Sequence, residues 1–364
     1  MDFIDLKTQY LKFKPAIHEA IDRVLEHGRF IMGPEVEALE TTLADYVGCR
    51  HAITVASGTD SLEIALRALE IGAGDEVITV PFTWISTAEV IAQVGAKPVF
   101  VDIDPLDFNI AVEQIEAAIT TATKALFPVS LFGQMPDYDA INAIASKHGI
   151  TVIEDAAQSF GATRHGVKSC NVTEIASTSF YPAKPLGCYG EGGALFTNDD
   201  DLAVKMKAIR THGGIRRHYH DLVGMNGRFD TLQAAIMLAK WPGFEAEVEA
   251  RNRIGARYSE NLRDVCTTPA IREGNTHVYA QYTIRVPDRD ALAEKLKTLG
   301  IPTAVYYPKC LHEQPVFAPL GYKYGDFPAA ESATREVLSL PLNPYLTEED
   351  QDRIIAAVRQ ALLG

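Results

Sequence analysis

Cysteine is scarce and scattered in this chain. The five residues Cys49, Cys170, Cys188, Cys266 and Cys310 form an odd set at wide spacings, with no C-x-x-C pair. That excludes a disulfide framework and a cysteine-based zinc cluster and points to a reducing cytoplasm. Positive charge is also in deficit, since 34 Lys and Arg face 48 Asp and Glu for a balance of −14. Such a surface repels nucleic-acid phosphates and anionic lipid, so neither is expected as a partner. Nowhere is there a run of roughly 18 apolar residues, the minimum for a membrane-spanning helix. The opening M-D-F-I-D-L-K-T-Q-Y lacks the basic-then-apolar order of a signal peptide. No G-x-G-x-x-G follows the first predicted strand, which argues against a nicotinamide-binding Rossmann enzyme. Internal repeats and low-complexity segments are absent as well.

What is present is a large apolar reserve: 47% of 364 residues are hydrophobic, enough for an extensive core in two domains. From about Cys49 to Thr211, helix-period segments alternate with short apolar runs. S-G-T-D-S-L-E-I-A-L-R-A-L reads as helix and E-V-I-T-V-P as strand. S-T-A-E-V-I-A-Q is helix, P-V-F-V-D-I-D strand, V-E-Q-I-E-A-A-I helix and K-A-L-F-P-V-S-L strand. Y-D-A-I-N-A-I-A-S-K-H-G is helix, I-T-V-I-E-D-A-A strand, G-A-L-F-T-N strand and D-L-A-V-K-M-K-A-I-R helix. Strands apolar on both faces, interleaved with helices, predict a mainly parallel sheet covered on both sides. A helical region over Thr231–Arg257 breaks near Pro242. The expected division is a large α/β domain over 1–240 and a smaller α+β domain over 241–364.

Four features fall where an open α/β sheet binds ligands, at the carboxyl ends of its strands. Asp155 closes the strand I-T-V-I-E-D. Its neighbour Glu154 must point to the opposite face, so only one of the two can serve a site, and a plain helix-capping role competes for it. Ser57, Gly58 and Thr59 open a helix directly after a strand, an arrangement that caps a helix or takes a phosphate on its N–H groups. Trp84 in P-F-T-W-I-S-T is either core or a flat surface for an aromatic ring. Lys184 sits in Y-P-A-K-P-L-G-C-Y-G-E-G-G between Pro182 and Pro185, which restrict its backbone. The glycines that follow are expected to supply positive φ and room for a ligand. A lysine so placed is either a surface loop residue or a desolvated amine of lowered pKa, usable as nucleophile and base. Together the four suit one ligand: a stacking surface, a phosphate site, an anion for a ring nitrogen and an amine for an aldehyde. That ligand is pyridoxal 5'-phosphate.

On these residues the chain resembles the DegT/StrS group of nucleotide-sugar aminotransferases, which have the aspartate aminotransferase-like fold of type I pyridoxal-phosphate enzymes. The resemblance runs over almost the whole length. G-R-F-I-M-G-P-E-V, A-S-G-T-D-S-L, P-F-T-W-I-S-T-A, V-I-E-D-A-A-Q-S-F-G-A, S-F-Y-P-A-K-P-L-G-C-Y-G-E-G-G, N-G-R-F-D-T-L-Q-A-A and Y-Y-P carry it. It implies that Lys184 binds the cofactor aldehyde, Asp155 pairs its ring nitrogen and Gln158 reaches its ring hydroxyl. Gly58, Thr59 and Ser179 are then its phosphate site, Trp84 stacks on its ring, and Asn226 reaches the phosphate from the second subunit of a homodimer with shared active sites. Phe30, Arg228, Tyr306 and Tyr307 fall in segments that contact substrate.

Within the group, Ser169–Asn171, the Lys184 segment and the basic Arg216–His220 stretch are similar to enzymes that aminate UDP-2-acetamido-2-deoxy-3-oxo-glucuronate for bacterial O-antigen sugars. One departure is Tyr306-Tyr307-Pro308 where the pattern has His-Tyr-Pro. A tyrosine can only hydrogen-bond a uronate carboxylate, whereas a histidine could also carry charge. The implied reaction is ping-pong transfer of nitrogen from L-glutamate to a keto UDP-sugar, with Arg216, Arg217 and Arg228 as candidate cations for an anionic substrate. Other readings are a C4 aminotransferase of a 4-keto sugar, a dehydrase and a non-catalytic regulatory protein. The dehydrase would have histidine in place of Lys184.

Overall fold

The computed structural model describes residues 2–214, 216 and 218–364. Two helices come first, α1 (Leu6–His27) and α2 (Pro34–Val47). Each stops at a glycine in the left-handed region, Gly28 at φ 67° and Gly48 at φ 83°, a conformation without penalty only for glycine. Alternation then sets in with β1 (His51–Val55), α3 (Gly58–Ala68), β2 (Glu76–Thr79), α4 (Ser86–Gln93), β3 (Lys97–Phe100), α5 (Val112–Ala118), β4 (Thr123–Leu126), α6 (Tyr138–His148) and β5 (Thr151–Asp155). A small hairpin, β6 (Thr163–Arg164) and β7 (Val167–Lys168), precedes β8 (Ile175–Ser179), β9 (Gly193–Thr197) and α7 (Asp200–Arg210).

Seven strands form one sheet in the order β1-β9-β8-β5-β4-β2-β3. From β3 to β8 every neighbouring pair is parallel, while β9 runs antiparallel to both β8 and β1. The connections explain the exception. Parallel neighbours need a long crossover, usually a helix, and residues 180–192 contain none. The chain must therefore double back beside β8, pairing Ser179 with Gly193, and Lys184 lies in the resulting loop. Alternate strand residues enter different cores. Val77, Ala125 and Ile153 pack with α3, α4 and α7, whereas Ile78, Leu126 and Val152 pack with α6 and the aromatic group Phe82, Phe100 and Tyr138. Both faces of the sheet are thus covered, which is why its strands read as continuous apolar runs.

Helix α8 (Thr231–Lys240) and helix α9 (Phe244–Leu262) are separated by a tight turn over Trp241–Gly243, at the proline that interrupts helical hydrogen bonding. Beyond lie β10 (Tyr282–Arg285), α10 (Arg289–Thr298), α11 (Pro328–Glu336), β11 (Val337–Leu340) and α12 (Glu348–Leu363), with β10 and β11 antiparallel. Their core, including Tyr258, Tyr282, Ile284, Leu296, Leu340, Ile354 and Val358, draws only on residues from 254 onward. Cys310, Leu311, Phe317 and Phe327 instead pack beneath the large sheet.

Candidate active site

The carboxyl edge of the sheet gathers the predicted residues from separate loops. Asp155, the last residue of β5, is 4% exposed. Its Oδ2 accepts from the Thr87 hydroxyl at 2.7 Å and its Oδ1 from the Ala157 N–H at 3.1 Å. Burial raises its pKa, and Thr87, Ala157 and the charge of Lys184 pull it back. Glu154 points the other way. It accepts from Ser169 Oγ at 2.7 Å, Cys170 N–H at 2.8 Å and Ser130 Oγ at 3.1 Å, and burial pushes its pKa up to about 7.

Lys184 follows β8 in a turn closed by its own N–H on the Tyr181 carbonyl at 2.8 Å and by Cys188 N–H on Phe180 O at 2.7 Å. The residue is half-buried overall, and the surrounding protein desolvates its amine. That desolvation lowers the lysine pKa, opposed by the charge of Asp155. Each group thus leans toward its neutral form because it is buried, and each holds some of the other's charge. They make no direct hydrogen bond to one another among the described residues.

The glycines after Lys184 do something other than expected. None of Gly187, Gly190, Gly192 and Gly193 has a positive φ. Their reason is close approach of protein to protein. A Cβ at Gly187 would sit 2.4 Å from Pro182 O, at Gly192 2.6 Å from the Phe229 ring, and at Gly193 2.6 Å from Ser57 O and 2.8 Å from Gly58 N.

That last contact joins the turn to the start of α3. Ser57 caps this helix by accepting the Asp60 N–H at 3.0 Å, as small hydroxyl residues do at this position. Ser61 ties the first turn to β8 through Ser177 Oγ at 2.5 Å. A side chain at Gly58 would place Cβ 2.7 Å from Ser179 Cβ, so glycine is required for the helix to reach Ser179. The Gly58 and Thr59 N–H groups have no acceptor among the described residues, and the Thr59 hydroxyl meets Ser86 Oγ at 3.0 Å.

On the opposite side Gln158 Oε1 takes the Phe132 N–H at 2.7 Å. A backbone N–H can only donate, so the amide orientation is fixed and the Gln158 NH2 must face Tyr307, whose hydroxyl lies at 3.2 Å. Tyr307 also packs 6.3 Å from Trp84 and 6.1 Å from Phe82. Trp84 is 59% exposed, an unusual amount of uncovered aromatic surface beside buried polar groups.

The remaining expected residues lie at the rim. Tyr306 is partly buried, 6.4 Å from the Phe3 ring. Phe30 is exposed, its carbonyl accepting from Thr231 N–H. Asn226 is exposed and Arg228 half-buried, on a strip whose Gly227 carbonyl accepts from Ala56 N–H at 3.0 Å. Exposed Arg216 places its guanidinium 4.9 Å from the Tyr219 ring; Arg217 lies outside the described residues. Sequence reasoning missed Thr87, and it named Gln158 and Tyr307 without their contact to each other. Thr87 stood within P-F-T-W-I-S-T, in the first turn of a helix opposite the Asp155 strand end, and that position was its only signal.

The residues fit pyridoxal phosphate. Two unaccepted N–H groups beside Ser179 suit a phosphate, Trp84 offers a flat surface, Asp155 an anion, Gln158 a fixed donor and Lys184 a desolvated amine.

The DegT/DnrJ/EryC1/StrS aminotransferase family matches residues 12–359. The chain is 52% identical over 359 residues to the UDP-2-acetamido-2-deoxy-3-oxo-D-glucuronate aminotransferase of Pseudomonas aeruginosa, covering 98% of this chain and 99% of that one. It is 48% identical over 361 residues to a protein of Geobacillus stearothermophilus named as a pleiotropic regulatory protein, covering 98% and 97%. Among solved structures, a DegT DnrJ EryC1 StrS aminotransferase from Brucella abortus aligns with TM-score 0.97 at 45% identity, over 100% of this chain and 99% of that one. NtdA of Bacillus subtilis, solved with bound cofactor PMP, aligns with TM-score 0.90 at 32% identity, over 97% and 82%.

Proposed function

The chain belongs to the DegT/DnrJ/EryC1/StrS aminotransferase family and is a pyridoxal-phosphate-dependent aminotransferase of aspartate aminotransferase-like fold, and from that premise we propose that it transfers the amino group of L-glutamate to C3 of UDP-2-acetamido-2-deoxy-3-oxo-D-glucuronate. 2-Oxoglutarate is the second product, and the amino sugar feeds bacterial O-antigen or lipopolysaccharide synthesis. The observation that carries this reading is the 52% identity, over 98% of the chain, to an enzyme named for that sugar.

In this reading Gly58, Thr59 and Ser179 hold the cofactor phosphate, Trp84 covers the ring, Gln158 donates to its hydroxyl and Asp155 pairs its nitrogen. When bound, the cofactor supplies an aldehyde for the donor nitrogen and a cationic ring that accepts electrons from the reacting carbon. Asp155 would serve as the carboxylate; burial raises its pKa overall, while Thr87, Ala157 and Lys184 favour its charge. Lys184 would hold the cofactor aldehyde through Nζ, and the same amine would take up and return a proton at the reacting centre. Its lowered pKa makes the neutral amine available at lower pH than for a solvated lysine. Arg228 and Arg216 meet the substrate's anionic groups, Phe30 and Tyr307 line its pocket, and Tyr306 offers its carboxylate a neutral hydrogen bond.

The enzyme works as a homodimer in the cytoplasm, with Asn226 reaching the phosphate site of the neighbouring copy. In support, Phe30, Ile31, Trp84, Tyr181 and Val223 are large apolar side chains left exposed, which a second copy could cover. The division at 240/241 also stays part of the proposal. It is supported by the break at Pro242 and the separate core after residue 250.

A half-reaction screen tests the substrate. Enzyme loaded with nitrogen from L-glutamate is offered 3-keto and 4-keto UDP-sugars, with and without the uronate carboxylate, and 2-oxoglutarate and the return of the aldehyde absorbance are followed. The 3-keto uronate should react fastest; preference for a 4-keto sugar overturns the assignment. The Geobacillus relative's name keeps a regulatory reading in play, which a spectrum unresponsive to glutamate would favour.

A further inference from the structure

Helix α8 grips the Lys184 turn at two points. Gln233 accepts the Tyr189 N–H at 2.8 Å and donates back to the Tyr189 carbonyl at 3.1 Å. Seven residues on, and so on the same helix face, Lys240 donates to the Gly187 carbonyl and to Gln9 Oε1, the latter at 3.0 Å. The Tyr189 ring lies 4.7 Å from the Lys240 ammonium. Glycine lets the turn close beside the helix, since a Cβ at Gly190 would lie 3.0 Å from Gln233 Nε2 and one at Gly187 2.4 Å from Pro182 O.

Lys240 is only 3% exposed. A buried ammonium is expensive, and an apolar residue would fill the space without that cost. Here the charge meets two oxygens and an aromatic face, and the set-up extends outward. Gln9 Nε2 donates to Glu247 Oε2 at 3.0 Å, and the other Glu247 oxygen accepts from the Tyr345 hydroxyl. One chain of contacts thus ties the turn to α1, α9 and the C-terminal segment.

We propose that Gln233 and Lys240 are positioning residues for Lys184: gripping Gly187 and Tyr189, they fix the turn so that the amine stands opposite Asp155. This rests on the reading of Lys184 as the reactive amine. A loop without regular structure is otherwise free to move, and a displacement of about 1 Å at a reacting group can cost roughly 10²-fold in rate.

The test measures amide hydrogen exchange over 180–192 in full-length Lys240→Met and Gln233→Leu, with and without pyridoxal phosphate. Exchange should rise at least about 10-fold in that segment while the β4–β5 region stays protected. Attachment of pyridoxal phosphate, followed by absorbance and by borohydride trapping with peptide mapping, should slow by a similar factor. kcat should fall with KM for the sugar little changed, and Lys240→Arg should recover part of the protection. Unchanged exchange over 180–192 in both variants overturns the clamp, as does a uniform rise across the whole sheet. Should Lys240→Met not fold, Gln233→Leu decides by the same readings. Borohydride label in the unaltered enzyme at a lysine other than Lys184 would instead sink the reading of the reactive amine, leaving the exchange result to stand by itself.

Discussion

At the end of β5 two neighbouring carboxylates occupy opposite surroundings. Glu154 is enclosed by Ser130, Ser169 and the Cys170 N–H, a closed set with no cation, and burial lifts it to about 7. Asp155 has one hydroxyl, one N–H and the field of a lysine, beside an exposed tryptophan and unaccepted helix N–H groups. One side is a finished polar core. The other leaves donors and aromatic surface open beside the carboxylate. Burial alone therefore does not single out the carboxylate proposed to meet the cofactor, since Glu154 is the more buried of the two; what separates Asp155 is its sparser set of partners.

Substitutions can break or sharpen that contrast. The largest effect is expected of Lys184→Ala, which should lose roughly 10⁴-fold or more in turnover while still taking up cofactor, measured by steady-state assay and native mass spectrometry. Asp155→Asn should follow, with a loss of about 10²–10³-fold from removing one oriented charge and an altered cofactor absorbance; near-normal turnover would erase the distinction between the two acids. Thr87→Val removes one hydrogen bond to a charged group and should cost about 10-fold in kcat.

Glu154→Gln should leave kcat within about twofold but change the pH dependence of stability. The folded protein holds the Glu154 proton up to about 7, against an ordinary value of 4.5. Between those values the native state binds more protons than the unfolded chain, so stability falls as pH rises from about 4.5 to 7 and stays low above. The contribution is on the order of 3 kcal/mol. Denaturation midpoints across this range should show a shallower fall in the glutamine variant, whose NH2 can face the Ser130 and Ser169 hydroxyls. An unchanged slope would place the titration elsewhere.

Much of the large sheet was legible because its strands are buried on both faces and three of its helices carry ordinary caps, Ser57, Asp137 and Asp199. Asp155 and Lys184 were legible for the same reason: position at a strand end is a local property of the chain. The helices α1 and α2, and the helix α11 with the strand β11 that follows it, were not anticipated, although Pro34 and Gly48 mark the limits of α2. The glycines after Lys184 were assigned to the wrong cause because the Phe229 ring and the Pro182 carbonyl reach them from elsewhere in the fold. Thr87, Gln233 and Lys240 depend wholly on such distant partners, and a threonine, a glutamine and a lysine in helices look ordinary until those partners are in place.

Gly193 pairs with Ser179 on one side and Val55 on the other, and touches Ser57 and Gly58. The strand that brings the chain back from the amine is therefore seated on the same joint from which the anion-facing helix springs. If these two elements hold the two ends of the coenzyme, as proposed, the span between them is fixed by backbone geometry and is hard to tune one end at a time. In the proposed reading, variation in which sugar is accepted falls to the outer ring of Phe30, Tyr306 and Arg228, where side chains can be exchanged without disturbing that joint.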